Sequence, residues 1–210
     1  MTNYLRFIGL DFRTMRPYWR SFLAVLFILL VFTATSMVPE TLVVTGALMG
    51  PITVMSYLFS QDARLDILYG LLPISRRDAV IGRYLDTLGF TFAGTILGLV
   101  FAIASGLITG NSLDGIGFGA ISGIACALVL NAIQMPVYYR FGYTRARILS
   151  IAIIVVAMAL LVGMVSLLGF QIATVPWVSA AALIALPVIA VLLYLASAAL
   201  SLKWYQAREF

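Results

Sequence analysis

This chain of 210 residues contains no histidine and one cysteine, and only 10% of its residues are charged. Without histidine there is no Ser-His-Asp triad, no histidine base and no histidine-ligated metal. A single cysteine, Cys126, excludes an intrachain disulfide and a cysteine-only metal site. The sequence also lacks a Gly-x-x-x-x-Gly-Lys-Ser/Thr phosphate loop. We therefore expect no catalytic, cofactor or metal residues here, and the chain is predicted not to be an enzyme.

Long stretches of the chain lack charge altogether. Hydrophobic residues make up 63% of the sequence, and the charged fraction is far below the quarter or so that is typical of soluble domains. Six segments contain no Asp, Glu, Lys or Arg: 21–38, 42–60, 87–109, 116–137, 149–169 and 177–202. Each approaches or exceeds the roughly 20 residues that a helix needs to cross a bilayer. Because these segments contain no carboxylate, paired intramembrane acids are also excluded.

The basic residues occupy alternate connections between the uncharged segments. Lys and Arg occur before the first segment, between the second and third, between the fourth and fifth, and after the sixth; the other connections contain none. Since Lys and Arg in short loops stay cytoplasmic, we predict an all-α integral membrane protein of the cell membrane, with six spans and both termini inside. The net charge of +5 is explained by this orientation and by anionic lipid, so no nucleic-acid partner is expected. The whole chain, 1–210, is predicted to be one transmembrane domain.

Two predicted cytoplasmic segments have amphipathic patterns. In 1–20, apolar residues recur every three or four positions, which is typical of a helix lying in the headgroup layer. The 61–86 connection is the longest, and its leucines have a similar spacing up to Pro73. Ser75 followed by Asp78 is an N-cap signature for a second helix that continues into the third span. The sequence thus predicts helix, turn and helix in this loop.

Polar and small residues mark contacts inside the bundle. Asn131 and Gln134 lie three apart on one face of the fourth span, where an amide needs a partner. They are interpreted either as an interhelical hydrogen bond or as part of a substrate path. Small-xxx-small pairs, which allow close helix approach, occur at Gly46/Gly50, Gly94/Gly98 and Gly119/Gly123.

Two segments resemble those of a known transporter family. The run Leu71-Leu72-Pro73-Ile74-Ser75-Arg76-Arg77-Asp78 and the residues to Leu85 resemble the leucine-proline-x-serine-arginine loop of small permease subunits of type 2 ATP-binding-cassette (ABC) exporters. The run Pro136-Val137-Tyr138-Tyr139-Arg140-Phe141-Gly142-Tyr143 is similar to the phenylalanine-glycine-tyrosine segment of the same permeases. The order of spans and the length agree with that family over essentially all of the chain.

The resemblance implies that the chain is half of a transporter. It would pair with a second permease, identical or sister, and with two copies of a cytosolic ABC ATPase that binds ATP and Mg²⁺. The loop at 65–83 would be a coupling helix that docks on the ATPase. The residues expected to make this contact are Arg64, Leu65, Leu68, Leu72, Pro73, Ser75, Arg76, Arg77 and Arg83. The cargo expected for such an exporter is an amphipathic, peptide or lipid-like molecule.

Three alternatives stay open at this point. A vitamin-binding membrane subunit of an energy-coupling-factor importer also has about six spans, but it should have longer outer loops than this sequence predicts. A membrane enzyme has little catalytic material available here. A non-transporting structural or sensor subunit is the third alternative, and an ATPase encoded by a neighbouring gene would argue against it.

Overall fold

The structure is a computed structural model, which describes residues 23–24, 27, 31, 39–48, 51, 76–110, 112–113, 115–168 and 180–206. Every regular element in these ranges is an α-helix. The helices are α1 (Arg76–Thr109), α2 (Ile116–Leu168) and α3 (Ala180–Gln206), and residues 39–48 form a shorter helical segment. The predicted helix at 1–20, much of the first two predicted spans and most of the 61–86 connection lie outside the described residues.

Three stretches are long and apolar enough to cross a membrane. They are Arg77–Thr109, Ile116–Gly142 and Ala185–Gln206. The all-helical class predicted from the sequence is confirmed by the described residues, and the three stretches are consistent with an integral membrane protein. The count of six spans and the inside/outside topology stay predictions.

Helix α1 begins and ends at recognisable signals. It starts at Arg76, directly after the Ser75 of the predicted N-cap, and Asp78 lies in the first turn, where its charge is favourable to the helix dipole. The helix ends before Gly110, which has a φ of 72° and donates its N–H to the Gly106 carbonyl at 2.8 Å. This is a left-handed glycine C-cap. One uninterrupted helix therefore connects the predicted coupling loop to the third span, as the pattern after Ser75 indicates.

Helix α2 is interrupted at one residue. Gly142 has φ 72° and ψ 169°, a backbone conformation essentially confined to glycine, while the residues on either side are helical. The sequence predicts a connection between the fourth span, ending at residue 137, and the fifth, beginning at residue 149. The structure reduces this connection to the glycine itself, because that one residue supplies the change of backbone conformation that a longer loop would otherwise make.

Close contacts between glycines and backbone set the direction of the 39–48 segment. A Cβ atom on Gly98 would lie 2.8 Å from the Leu42 carbonyl oxygen, and one on Gly46 would collide with the Gly94 carbonyl oxygen. The segment is therefore antiparallel to α1. Along α2, a Cβ on Gly119 would lie 2.8 Å from the Glu40 carbonyl oxygen, and one on Gly123 would lie 3.0 Å from the Val44 Cα. The segment is parallel to α2.

Side-chain contacts show the direction of α3 relative to α1. Tyr84 near the start of α1 contacts Ser201 near the end of α3, and Thr87 contacts Tyr194 one turn further along α1. The two helices are thus antiparallel. The Tyr139 and Tyr205 rings meet edge to face with centroids 5.3 Å apart, which brings the end of the first half of α2 beside the end of α3.

One end of the bundle therefore collects the described basic residues. The start of α1, the Gly142 break and the end of α3 lie together there. The Lys and Arg residues of the described ranges are Arg76, Arg77, Arg83, Arg140, Arg145, Arg147 and Lys203. We call the end of the bundle that carries these residues the basic end. The opposite end, where Glu40, Gly110 and Gly115 lie, carries no Lys or Arg among the described residues. The Lys and Arg residues of the described ranges thus lie at one end of the bundle, which is consistent with the predicted distribution.

Candidate functional site

A polar stripe runs along the buried face of α1. Thr87, Thr91 and Thr95 are spaced four residues apart and are at most 4% exposed. The Thr91 and Thr95 hydroxyls each donate to the carbonyl four residues earlier, at 2.8 Å. Back-bonding of this kind satisfies a hydroxyl within its own helix. The stripe can therefore face the interior of a membrane bundle without a partner on another helix.

Nearer the basic end, the hydroxyls connect different helices. Ser197 on α3 donates to the Ala132 carbonyl of α2 at 2.7 Å. Since this uses the only proton of Ser197, the Tyr84 hydroxyl 2.8 Å away donates to the Ser197 oxygen. Tyr84 in turn accepts a hydrogen bond from Ser201, also at 2.8 Å. A directed chain thus runs from Ser201 through Tyr84 and Ser197 to the backbone of α2.

Pro136 explains why the Ala132 carbonyl, the last acceptor in this series of hydrogen bonds, is free to bind Ser197. In a regular helix the Ala132 carbonyl would accept the N–H of residue 136, and proline has none. A carbonyl freed in this way inside a membrane helix needs another donor. The Ser197 hydroxyl supplies it. Pro136, which is buried in the fourth predicted span, thus creates the attachment point for α3.

Tyr194 adds a second connection between α1 and α3. Its hydroxyl donates to the Tyr84 carbonyl at 2.7 Å and lies 2.7 Å from the Thr87 hydroxyl. Either hydroxyl can be the donor between Thr87 and Tyr194, because the Thr87 hydroxyl also has backbone acceptors in its own helix, the Tyr84 carbonyl at 2.9 Å and the Arg83 carbonyl at 3.2 Å. The Tyr84 and Tyr194 rings pack edge to face with centroids 5.0 Å apart. We call Tyr84, Thr87, Tyr194, Ser197 and Ser201 the hydroxyl network.

Two charged residues are buried beside this network. Arg83 is 3% exposed and Asp86 is 7% exposed, and they lie three apart on α1. The sequence assigns Asp86 to a cytoplasmic loop and finds no carboxylate in the spans. In the structure Asp86 is buried within the continuous helical stretch Arg77–Thr109, one residue before the predicted start of the third span at 87. The spacing of Val80, Arg83, Tyr84 and Thr87 on one helical face is the signal that would have indicated their burial.

The residues predicted for the substrate path lie in the interior. Asn131 is 1% exposed and Gln134 is 4% exposed. Within the described residues, neither the amide nitrogen nor the amide oxygen of Asn131 has a hydrogen-bond partner. An unsatisfied buried amide costs on the order of 1–3 kcal/mol. Asn131 is therefore a polar group held in the interior of the bundle at an energetic cost.

The predicted coupling residues fall into three groups. Arg64, Leu65, Leu68, Leu72, Pro73 and Ser75 lie outside the described residues. Arg76 and Arg77 begin α1, and Arg77 is exposed. Arg83 is buried two turns further along the same helix, so its side chain is enclosed by this chain rather than presented on its surface. The sequence treats these three arginines alike, and the structure separates them.

Sequence reasoning missed the hydroxyl network. Tyr194, Ser197 and Ser201 lie at spacings of three and four residues, a pattern that predicts one helical face. Their partners on α1 are more than 100 residues away in the chain, so no local pattern indicates the pairing. Among the described residues, no group of three or more Cys, Asp or Glu could hold a metal ion.

Comparison with known proteins identifies one family. The family model described as "ABC-2 family transporter protein" matches residues 7–206. Neither the search of curated proteins nor that of solved structures gave a significant match. The family match covers nearly the whole chain, and it includes both motifs from which the resemblance was predicted.

Proposed function

The chain belongs to the ABC-2 family of transporters, and from that premise we propose that it is the membrane half of an exporter driven by a separate ATPase. Membership supports a non-enzymatic permease in a multi-pass membrane setting, with an ATP-binding partner in general terms. The proposal adds two ATPase copies, a second permease, an orientation with the basic end in the cytoplasm, and export as the direction of transport. The observation that carries it is the unbroken α1, which joins Arg77 to the hydroxyl network.

The coupling contact is proposed at the start of α1 and in the loop before it. It comprises Arg64, Leu65, Leu68, Leu72, Pro73, Ser75, Arg76 and Arg77. An exposed arginine such as Arg77 can pair with acidic side chains of an ATPase. Arg83 is left out of the contact because it is buried. Its proposed place is inside the permease, next to the hydroxyl network.

Movement of the coupling loop then reaches two other helices through the hydroxyl network. A helix transmits a push along its axis, and Tyr84 lies eight residues after Arg76 on α1. From Tyr84, hydrogen bonds lead to Ser197 of α3 and on to Ala132 of α2. Helices joined at this end by hydrogen bonds can shift when the coupling loop moves, while close packing holds the opposite end. ATP binding at the partner would supply the driving energy.

The cargo path is proposed beside Asn131 and Gln134. An intramembrane polar group without a partner marks a substrate path when it faces a cavity. Outside the threonine stripe, the hydroxyl network and the buried Arg83 and Asp86, the described interior is mainly apolar, which suits an amphipathic, peptide or lipid-like cargo that leaves from the inner leaflet or the cytosol. Short outer connections in the sequence argue against delivery by an external binding protein, and this favours export.

The coupling proposal is tested with the double variant Arg76→Glu and Arg77→Glu. The full chain is co-purified with its ATPase and reconstituted in lipid nanodiscs, and stimulated ATP hydrolysis is measured. We expect stimulation to fall by about tenfold, since reversed charges oppose an acidic partner surface. The matched control, Arg76→Lys with Arg77→Lys, keeps the charge and should retain most of the stimulation. Unchanged stimulation in the Glu variant would contradict the coupling role.

The cargo path is tested separately. Asn131→Leu with Gln134→Leu should change which amphipathic peptides or dyes are exported from inside-out vesicles, because both amides would be lost from the path. Ile133→Leu, on the exposed side of the same helix, is the control and should leave the profile unchanged. If the double variant transports normally and unfolds at a higher temperature, the amides serve packing alone.

A further inference from the structure

Four exposed cations at the basic end are not used by the proposed function. They are Arg140, Arg145, Arg147 and Lys203. The three arginines flank the Gly142 break of α2, and Lys203 lies near the end of α3. We call them the basic cluster. Within the described residues, none of the four forms an ion pair or hydrogen bond with a side chain. All four side chains are exposed, as an anion-binding surface requires.

Arg140 is positioned by aromatic rings. Its guanidinium carbon lies 4.9 Å from the centroid of the Trp204 ring and 5.4 Å from that of Phe141. Cation–π contacts at this range hold the guanidinium plane without using its N–H donors. A planar guanidinium with free donors is suited to two parallel hydrogen bonds with phosphate oxygens.

The residues beside the four cations are well packed. The Tyr139 and Tyr205 rings contact each other, and Ala146, between Arg145 and Arg147, is completely buried in the same core cluster. Leu202, next to Lys203, packs against this core as well. The four cations therefore project from a fixed surface that joins α2 to α3.

The surroundings of the cluster are apolar. Ile148 is 71% exposed, Ile151 is 54% exposed, and Phe141 is 41% exposed. Phe141 directly follows Arg140 and Ile148 directly follows Arg147, so exposed apolar side chains adjoin the cations. An acidic face of a soluble protein would leave them uncovered, whereas a phospholipid places its phosphate on the cations and its acyl chains along the apolar surface.

We propose that the basic cluster is a binding site for an anionic phospholipid, with the phosphate held by Arg140 between Trp204 and Phe141. Arg145, Arg147 and Lys203 supply further positive charge around it. The site does not depend on the transport direction or on the ATPase. Bound lipid would join the end of α3 to the break in α2, at the level where membrane helices meet the headgroups.

The test uses Trp204 as a contact reporter. The full chain with Trp19→Phe and Trp177→Phe retains Trp204 as its single tryptophan. It is placed in nanodiscs of phosphatidylcholine that contain a fixed fraction of brominated lipid, either phosphatidylglycerol or phosphatidylcholine. We expect brominated phosphatidylglycerol to quench Trp204 more strongly at the same mole fraction. Equal quenching by the two lipids would overturn the proposal.

Three substitutions test whether the preference for phosphatidylglycerol comes from the basic cluster. Arg140→Gln should lower the relative affinity for phosphatidylglycerol by about fivefold, the effect expected for one arginine at an anionic surface. Arg77→Gln removes an exposed charge at the same end that does not belong to the basic cluster, and it should change the relative affinity for phosphatidylglycerol little. Arg140→Lys keeps the charge without the planar donors and should keep part of the preference. If Arg140→Gln and Arg77→Gln behave alike, general surface charge explains the binding and no site exists.

A competition experiment separates lipid from protein. The partner ATPase is added to nanodiscs that contain the brominated phosphatidylglycerol. Retained quenching supports a lipid site. Loss of quenching would show that the cluster is a docking surface for protein, and the proposal would be overturned. Neither result bears on the coupling role of Arg76 and Arg77, which is measured by stimulated ATP hydrolysis.

Discussion

The two ends of this bundle hold their helices together by different means. At the end that carries Glu40, helices meet backbone to backbone, and Gly98 leaves no space for a Cβ atom beside Leu42. At the basic end, helices meet through hydroxyl groups, with Tyr84 between Ser197 and Ser201. In lipid the hydrophobic effect does not distinguish a neighbouring helix from a lipid tail, so close packing and hydrogen bonds are the two remaining sources of association.

The difference suits the proposed mechanism. Glycine contacts are steric and tolerate little change in helix separation. Hydroxyl contacts are directional, and each proton can be given to another acceptor when the helices shift. In the proposed mechanism, the hydroxyl contacts of Tyr84 and Ser197 are the ones that exchange partners, and the close contact of Gly46 with Gly94 is the pivot.

The largest effect is expected from filling the pivot. Gly98→Val places a branched side chain where a Cβ alone would lie 2.8 Å from the Leu42 carbonyl oxygen. We expect the free energy of unfolding in detergent to fall by about 3 kcal/mol, at the upper end of overpacking costs. Gly89→Val on the same helix is the control, since a Cβ there meets nothing within 4 Å. Equal losses in the two variants would contradict the packing account.

A smaller effect is expected at the break in α2. Gly142→Ala puts a Cβ atom on a residue with φ 72° and should destabilise the chain by about 2 kcal/mol. Gly117→Ala, at a helical glycine with open space, should be neutral or slightly stabilising. Chemical unfolding of both variants measures the difference. A neutral Gly142→Ala would indicate that the break does not depend on glycine.

The hydroxyl network should contribute less than either glycine. Tyr84→Phe removes the hydrogen bonds to Ser197 and Ser201 and keeps the ring. We expect a loss of about 1 kcal/mol, because hydrogen bonds between membrane helices are individually modest. A double-mutant cycle with Ser197→Ala measures how much of that loss belongs to the pair. Strictly additive losses would show that the two hydroxyls do not interact.

The smallest contrast compares two threonines on one face of α1. Thr87→Val removes a contact with Tyr194 on another helix, whereas Thr91→Val removes a bond only to its own helix. Both residues are completely buried. We expect about 0.6 kcal/mol of destabilisation for Thr87→Val and close to none for Thr91→Val. Thermal unfolding of the two variants in the same detergent measures the difference. A lower unfolding temperature for Thr91→Val than for Thr87→Val would contradict this account.

Sequence reasoning was most successful where structure depends on neighbouring residues. The start of α1 after Ser75, its end at Gly110 and the apolar length of its span follow from local patterns and capping chemistry. The close contacts of Gly94, Gly98, Gly119 and Gly123 were expected in kind, since small residues at four-residue spacing favour close helix approach. Which helix each of them faces was not predicted.

Burial of charged side chains was not anticipated from the sequence. Arg83 was taken for a docking residue and Asp86 for part of a loop, and both lie in the interior. The connection after the fourth span was predicted to be longer than the break at Gly142. In both cases a helix continues beyond the uncharged segment, because backbone hydrogen bonding does not stop where hydropathy falls.

The sequence by itself determined the class of this protein, its family and the alternation of its basic residues, since these depend on composition and on local order along the chain. Only the tertiary structure decided that Ser197 meets the carbonyl freed by Pro136, that Tyr84 connects α1 to α3, and that Arg140 lies against Trp204. These contacts join residues about 60 to 120 positions apart, where packing of whole helices, rather than local preference, selects the partner.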